Sequence, residues 1–239
     1  METIRISGRH KVLGILGGMG PEAGIDFYRQ VLAFTPASRD QDHIPTILLS
    51  HTQVPDRTES ILRGHHDCLL PLLEGVAFLA NAGAEVIAIP CNTAHYYIED
   101  LRAATQTTLL SIVEETVREI LATPEIPGCV AVFGTEGIRV TNLYGRALEA
   151  GGLRYIYPDT ASQQCITEII RSVKSGKTGA EERNKLLALA EEARKSGAEA
   201  LLLGCTELPI LFRGHPVPLP VYDSTSLLAK AAVRFCIHV

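Results

Sequence analysis

The chain has 239 residues, of which 46% are hydrophobic and 21% charged, with a formal net charge of −5. A length and composition of this kind bury a real core, as one large domain or two small ones, and exclude extensive disorder. The acidic balance offers no basic footprint for nucleic acid, and no uncharged apolar run reaches the ~18 residues a membrane span needs, so neither is an expected partner.

At the N-terminus, "METIRISGRHK" carries charge but no apolar stretch follows it, so no secretory signal is expected. Cysteines at 68, 91, 129, 165, 205 and 236 are scattered without a CxxC pair and read as reduced thiols of a cytoplasmic protein. "KVLGIL" (11–16) reads as the first buried strand, and the glycine turn "GGMGPEAG" follows it. Gly18-x-Gly20-x-x-Ala23, with Asp40 further on, imitates a dinucleotide fingerprint. Pro21 interrupts the phosphate turn, however, and a turn that lets substrate approach the backbone explains the glycines equally well. Further strands are expected at "IPTILLSH" (44–51), "EVIAIP" (85–90), "TTLLSI" (107–112), "CVAVFG" (129–134), "LRYIYP" (153–158), "EALLLG" (199–204) and "PLPVYD" (218–223). Amphipathic helices lie between them, such as "EERNKLLALAEEARKSG" (181–197), whose apolar residues recur at helical spacing before Gly197. The alternation predicts a doubly wound α/β fold with right-handed crossovers.

The pattern also repeats. "NAGAEVIAIPCNT" (81–93) and "KSGAEALLLGCTE" (195–207) share a helix end, Gly-Ala-Glu, an apolar strand and a terminal cysteine. "KVLGILGGMG" (11–20) and "CVAVFGTEGI" (129–138) echo each other at nearly the same offset. Two similar, pseudo-symmetric α/β subdomains are therefore expected, each a mostly parallel four-stranded sheet flanked by helices, with the active site in the cleft between them. The expected boundaries are 1–112 with 217–239 for the first subdomain and 113–216 for the second, and "TPEIPG" (123–128) is a plausible joint.

Cys91 and Cys205 end matching strands, where open α/β sheets bind ligands, and each is followed by a helix start. Helix N-termini favour anions and lower thiol pKa values. Two thiols from opposite sides of a cleft suit removal of a proton from one face of a carbon and its return to the other, which is racemisation or epimerisation. The remaining four cysteines read as core residues. A Cys/His hydrolase using His95 or His51 would leave the second matched cysteine unexplained, and His95 reads more readily as a helix-surface residue or one supporting Cys91 than as a base. No metal is expected, since His65 and His66 are adjacent and no Cys/His cluster has ligand spacing.

"GILGGMGPEA", "TPASRDQDHIP", "VPDRT", "PCNTAHYYIEDL" and "GCTELPIL" resemble the motifs of the cofactor-independent aspartate/glutamate racemases, aspartate racemases in particular, from about residue 11 onward. The resemblance implies two α/β subdomains around a cleft, Cys91 and Cys205 as catalytic thiols, and no pyridoxal phosphate or metal. It further implies that Arg57 holds a substrate carboxylate, as does Lys174 in "RSVKSG". Met19, Gln53, Asn92, Thr93, Thr135 and Thr206 are the other substrate-contact candidates. Glutamate racemases carry a histidine where this chain has Glu207, which favours the aspartate type and makes Glu207 a candidate partner of Cys205. The expected activity is interconversion of L- and D-aspartate, with glutamate as a second candidate substrate and a homodimer as the expected assembly. A maleate-isomerase-like enzyme using one cysteine as nucleophile, or a catalytically silent dicarboxylate-binding protein, are the alternatives.

Overall fold

The computed structural model describes residues 10–237, so most of "METIRISGRHK", up to Arg9, lies outside the described residues. The described chain falls into two compact units, one reaching Glu115 and resuming at Thr225, the other spanning Thr116–Ser224.

In the first unit the elements run β1 (Leu13–Gly17), α1 (Pro21–Phe34), β2 (Thr46–Ser50), α2 (Arg57–Arg63), α3 (Leu69–Asn81) and β3 (Val86–Ala88). A 3-10 turn at Thr93–Tyr97 leads into α4 (Ile98–Ala103), β4 (Thr108–Leu110) and the start of α5 (Ile112–Leu121), which continues into the second unit from Thr116. The four strands pair in the order β2-β1-β3-β4, all parallel. Covered on both faces, the central strands are apolar at almost every position rather than alternating: β1 reads Leu-Gly-Ile-Leu-Gly and is buried throughout. Leu16, Leu72, Leu79 and Ile87 pack a core between the sheet and α3.

The second unit contains β5 (Cys129–Gly134), α6 (Glu136–Val140), α7 (Leu143–Ala150), β6 (Arg154–Ile156), α8 (Thr160–Lys174) and α9 (Ala180–Lys195). There follow β7 (Ala200–Gly204), α10 (Leu208–Phe212) and β8 (Val221–Asp223), after which α11 (Ser224–Cys236) begins. Its parallel sheet has the order β6-β5-β7-β8, the same topology as the first. Ile166, Ile170, Leu186, Leu201 and Leu203 build its core against α8 and α9. Helix α9 carries Glu181 and Glu182 in its first turn and Arg194 and Lys195 in its last, which complements the helix dipole, and Gly197 just beyond it adopts φ 94°.

Seven of the eight strands lie within the stretches read from the sequence, several of them shorter, and β1 runs one residue past its stretch to Gly17. Strand β3 stops before Pro90, and β8 begins only after Pro218 and Pro220, because proline has no N–H to give a ladder. One expected boundary moves. Residues 217–224, expected with the first half, fall in the second unit because Leu201 pairs with Val221 and the Leu201 N–H bonds to the Pro220 carbonyl at 2.8 Å. From Thr225 the chain rejoins the first unit, where Arg234 pairs with the buried Glu115 at 2.6 Å and the Lys11 N–H reaches the Cys236 carbonyl at 3.0 Å. No helix among the described residues is long and apolar enough to cross a membrane.

The glycine turn after β1 has a packing explanation. Gly18 adopts φ 93°, and a Cβ there would lie 2.4 Å from the His51 backbone nitrogen. Gly24 on α1 sits with its Cβ position 3.4 Å from the Gly17 Cα, so helix and strand meet backbone to backbone. Gly18 of the apparent dinucleotide fingerprint is thus spent on closeness between protein segments, whereas a Cβ at Gly20 would meet nothing within 4 Å. Gly18→Ala is expected to lower unfolding stability by about 2 kcal/mol or more, combining left-handed strain with a backbone clash. Urea denaturation checks this, and a loss under about 0.5 kcal/mol would contradict it.

Candidate active site

In an open parallel sheet the ligand-binding crevice lies beyond the carboxyl ends of the strands, where the strand order reverses. In the first sheet that point is between β1 and β3, and in the second between β5 and β7. Met19 follows β1 and Cys91 follows β3; Thr135 follows β5 and Cys205 follows β7. Each cysteine therefore occupies the equivalent position beside the switch point of its own sheet. Their surroundings differ.

Cys91 is buried, and the Cys91 N–H bonds to the Ile89 carbonyl at 2.8 Å. Beside it lies Arg57, only 9% exposed, the first residue of α2 after the Asp56 cap, whose carboxylate accepts the Glu59 N–H at 2.9 Å. The guanidinium donates to the Pro55 carbonyl at 2.8 Å, to Val54 at 3.3 Å and to Met19 at 3.1 Å. Burial works against its charge, but Cys91, Asp56 and Cys68 together hold its pKa above the usual arginine value. The first unit thus offers its thiol a fixed, permanent cation, oriented by the carbonyl of the β1 turn. Asn92 and Thr93 are buried next to Cys91 in the chain.

His95 is not placed to act as a base. Its Nε2 accepts the Ile112 N–H at 3.1 Å, which assigns the ring proton to Nδ1, and Nδ1–H donates to the Cys91 carbonyl at 2.9 Å. Burial pushes the imidazole below its ordinary pKa, so it stays neutral. It staples the backbone of Cys91 to the start of α5.

Cys205 meets the opposite environment. Its Sγ donates to Glu207 Oε2 at 2.9 Å, and Thr206 Oγ1 donates to the same oxygen at 3.0 Å. Two donors converging on one oxygen is the pattern a carboxylate accepts. All three residues are buried. Burial pushes the Cys205 thiol well above its ordinary pKa; the Glu207 charge adds to this and the Lys174 ammonium opposes it. The sequence-based expectation of a thiol lowered by a helix N-terminus is therefore overturned here. Helix α10 has only five residues, and a neighbouring carboxylate outweighs its dipole. The turn after Cys91 is likewise a five-residue 3-10 segment, and Asn92 makes no side-chain cap.

The remaining candidates are spread over these surroundings. Thr135 caps α6 by accepting the Ile138 N–H, and Lys174 ends α8 with its charge felt at Cys205. Gln53 is exposed, with its Nε2 3.5 Å from Thr52 Oγ1. Two linked residues of the first unit escaped the sequence reading. Cys68, read as core filling, is fully buried at the start of α3, and its charge interaction reaches Arg57. Tyr97 lies within the "PCNTAHYYIEDL" motif; burial and a hydrogen bond with Cys68 push its hydroxyl up to about 12. Tyr97 also lies 3.3 Å from His66 Nδ1 and 3.5 Å from Ser60 Oγ. Burial raises the thiols of Cys129, Cys165 and Cys236, the last to about 12; Cys129 and Cys236 are buried as expected, whereas Cys165 is half-buried at the edge of its core.

Residues 16–232 match the Asp/Glu/Hydantoin racemase family. The broad specificity amino-acid racemase RacX of Bacillus subtilis (strain 168) is 29% identical over 226 residues, covering 93% of this chain and 96% of its own. A glutamate racemase of Aquifex pyrophilus is 28% identical over 170 residues, covering 68% of this chain and 63% of its own. Among solved structures, the aspartate racemase of Picrophilus torridus aligns with a TM-score of 0.83 at 26% identity, covering 94% of this chain and 93% of that one. An Asp/Glu racemase structure from Yersinia pestis aligns with a TM-score of 0.80 at 27% identity, covering 94% and 98%.

The Cys205–Glu207 contact predicts a chemical signature. Because the Glu207 charge raises the Cys205 pKa, Glu207→Gln removes that contribution and should move the onset of Cys205 alkylation to lower pH. Iodoacetamide labelling across a pH series, with each cysteine quantified by mass spectrometry, checks this. An unchanged or higher onset would contradict it.

Proposed function

As the chain belongs to the Asp/Glu/Hydantoin racemase family, we propose that it interconverts L- and D-aspartate, with glutamate as a second substrate, by a two-base mechanism on Cys91 and Cys205. The observation that carries this reading is the pair of thiols at equivalent strand ends, one beside a cation and the other donating to a carboxylate. In the direction written here Cys91 acts as the base beside the Arg57 cation, and Cys205 acts as the acid, its S–H directed at Glu207. Cys91 takes the α-proton; Cys205 delivers its proton to the opposite face of the planar intermediate. The other enantiomer runs the same steps in reverse.

The α-proton of an amino acid is a very weak acid, so charge developing on the adjacent carboxylate has to be met by fixed positive charge and N–H groups. Arg57, locked by three backbone carbonyls, needs no reorganisation to do this. A dicarboxylate suits the charge distribution, because each thiol has one cation for company: Arg57 beside Cys91, and Lys174 near Cys205. His95 takes no part in proton transfer and instead fixes the Cys91 backbone.

Chiral chromatography of aspartate and glutamate incubated with the protein tests this reading. Wild-type protein should racemise aspartate, and Cys91→Ser and Cys205→Ser should each lower kcat/KM by about 10³-fold, the size of a lost acid–base group. Either variant within about tenfold of wild type would contradict the two-base scheme.

A further inference from the structure

A two-base racemisation leaves the enzyme changed. When Cys91 takes the α-proton and Cys205 gives one up, a C–H bond breaks as an S–H bond forms on Cys91. An S–H bond on Cys205 breaks as the new C–H bond forms. Product departs from a protein that carries the proton on Cys91 and a thiolate at Cys205. Another substrate of the same hand needs the reverse arrangement. Net conversion of one enantiomer therefore requires the free enzyme to move protons between turnovers.

The two thiols are not equally equipped for that step. The group beside Cys91 is Arg57, whose pKa is raised above the arginine value and which neither gives nor takes a proton at working pH. The group on Cys205 is Glu207, a carboxylate whose Oε2 lies 2.9 Å from Sγ. Carboxyl and thiol are both groups that carry a proton reversibly.

We propose that Glu207 is the proton reservoir that returns the free enzyme to its starting state between turnovers. The inference rests on the two-base reading and adds to it a route for resetting the pair. After product release the Cys205 thiolate and the Glu207 carboxylate are two buried anions in direct contact, the situation in which like charges most strongly demand a proton. Glu207 takes that proton from water and passes it along the S···O contact to Cys205. Cys91 loses its proton to water, and Arg57 balances the thiolate that results. One proton enters and one leaves. Thr206 Oγ1, donating to the same Oε2 at 3.0 Å, keeps the carboxylate turned toward Sγ through the cycle. Lys174 is the other charge acting on Cys205; its attraction moderates the repulsion between the two anions.

The reset is read by tracer perturbation, which separates it from the speed of the chemical step. Radiolabelled aspartate is first brought to a racemic mixture with the enzyme, and a large excess of unlabelled L-aspartate is then added. If the free enzyme resets quickly, the label stays racemic while the unlabelled pool converts. If it resets slowly, the enzyme accumulates in its post-turnover form and draws labelled D-aspartate back, giving a transient excess of labelled L-aspartate.

Wild-type protein should keep the label racemic, and Glu207→Gln, whose amide cannot carry the proton, should show the transient excess. A purely structural loosening of Cys205 would slow turnover without moving the label. Should Glu207→Gln turn over too slowly to follow, Glu207→Asp carries the same test, since it keeps the carboxyl but withdraws it from Sγ. Label that stays racemic in the substituted protein overturns the proposal, as does a wild-type excess equal to that of the variant. Absence of any racemisation by wild-type protein in the first stage would instead overturn the function on which the proposal rests.

Discussion

The parallel pairing of the two central strands in each sheet, β1 with β3 and β5 with β7, is the constraint on which everything else depends. It brings the carboxyl ends of these strands side by side while their connections run to opposite edges of the sheet, so loops diverge and leave backbone groups open above the strand ends. In the first unit this sets the Met19 turn next to Cys91, and the Met19 carbonyl then holds Arg57. In the second it sets Thr135 and Cys205 at the matching places. The burial that makes β1, β3, β5 and β7 nearly continuous apolar runs also anchors these turns. A site built on such strand ends is held by the core of its own unit rather than by a mobile loop.

Symmetry of scaffold and asymmetry of charge have different origins. The scaffold repeats because each half is the same four-stranded arrangement with the same strand order. The charge differs because of a few side chains that follow the strands. Arg57 is recruited to Cys91 from a separate helix, whereas Glu207 reaches Cys205 from two residues along the chain. A buried guanidinium without an anion, or a buried carboxylate without donors, would each cost several kcal/mol. Arg57 has three carbonyls and the neighbouring thiol, and Glu207 has a thiol and a hydroxyl. The thiols are therefore among the groups that make burial of these two charges tolerable.

Much of the fold was legible because parallel strands buried on both faces leave uninterrupted apolar runs, as in "KVLGIL" and "EALLLG". The internal echo pointed to Cys91 and Cys205 for the same reason: strand, terminal cysteine and preceding Gly-Ala-Glu all recur at short range. What depended on contacts distant in sequence was not legible. Nothing local to Cys68 says that Tyr97 bonds to it or that Arg57 feels its charge. His95 could be seen near Cys91, but its role as a staple depends on the Ile112 N–H on the other side of β4. Residues 217–224 were expected with the first half, since nothing local to them shows that β8 pairs with β7. The thiol of Cys205 was expected to be acidified by a helix start. That expectation failed because burial raises the thiol, the carboxylate of Glu207 adds to this, and a five-residue helix supplies little dipole against them.

The central claim is that two different thiols handle the proton that leaves and the proton that arrives. Its most direct measurement is the hydrogen isotope at Cα, followed by mass spectrometry during the first few per cent of reaction of protiated L-aspartate in deuterium oxide. With two bases, the D-aspartate formed carries deuterium while the L-aspartate recovered is still protiated. A product that retains the substrate's own protium would show that a single group removes and returns the same proton, and would contradict the account.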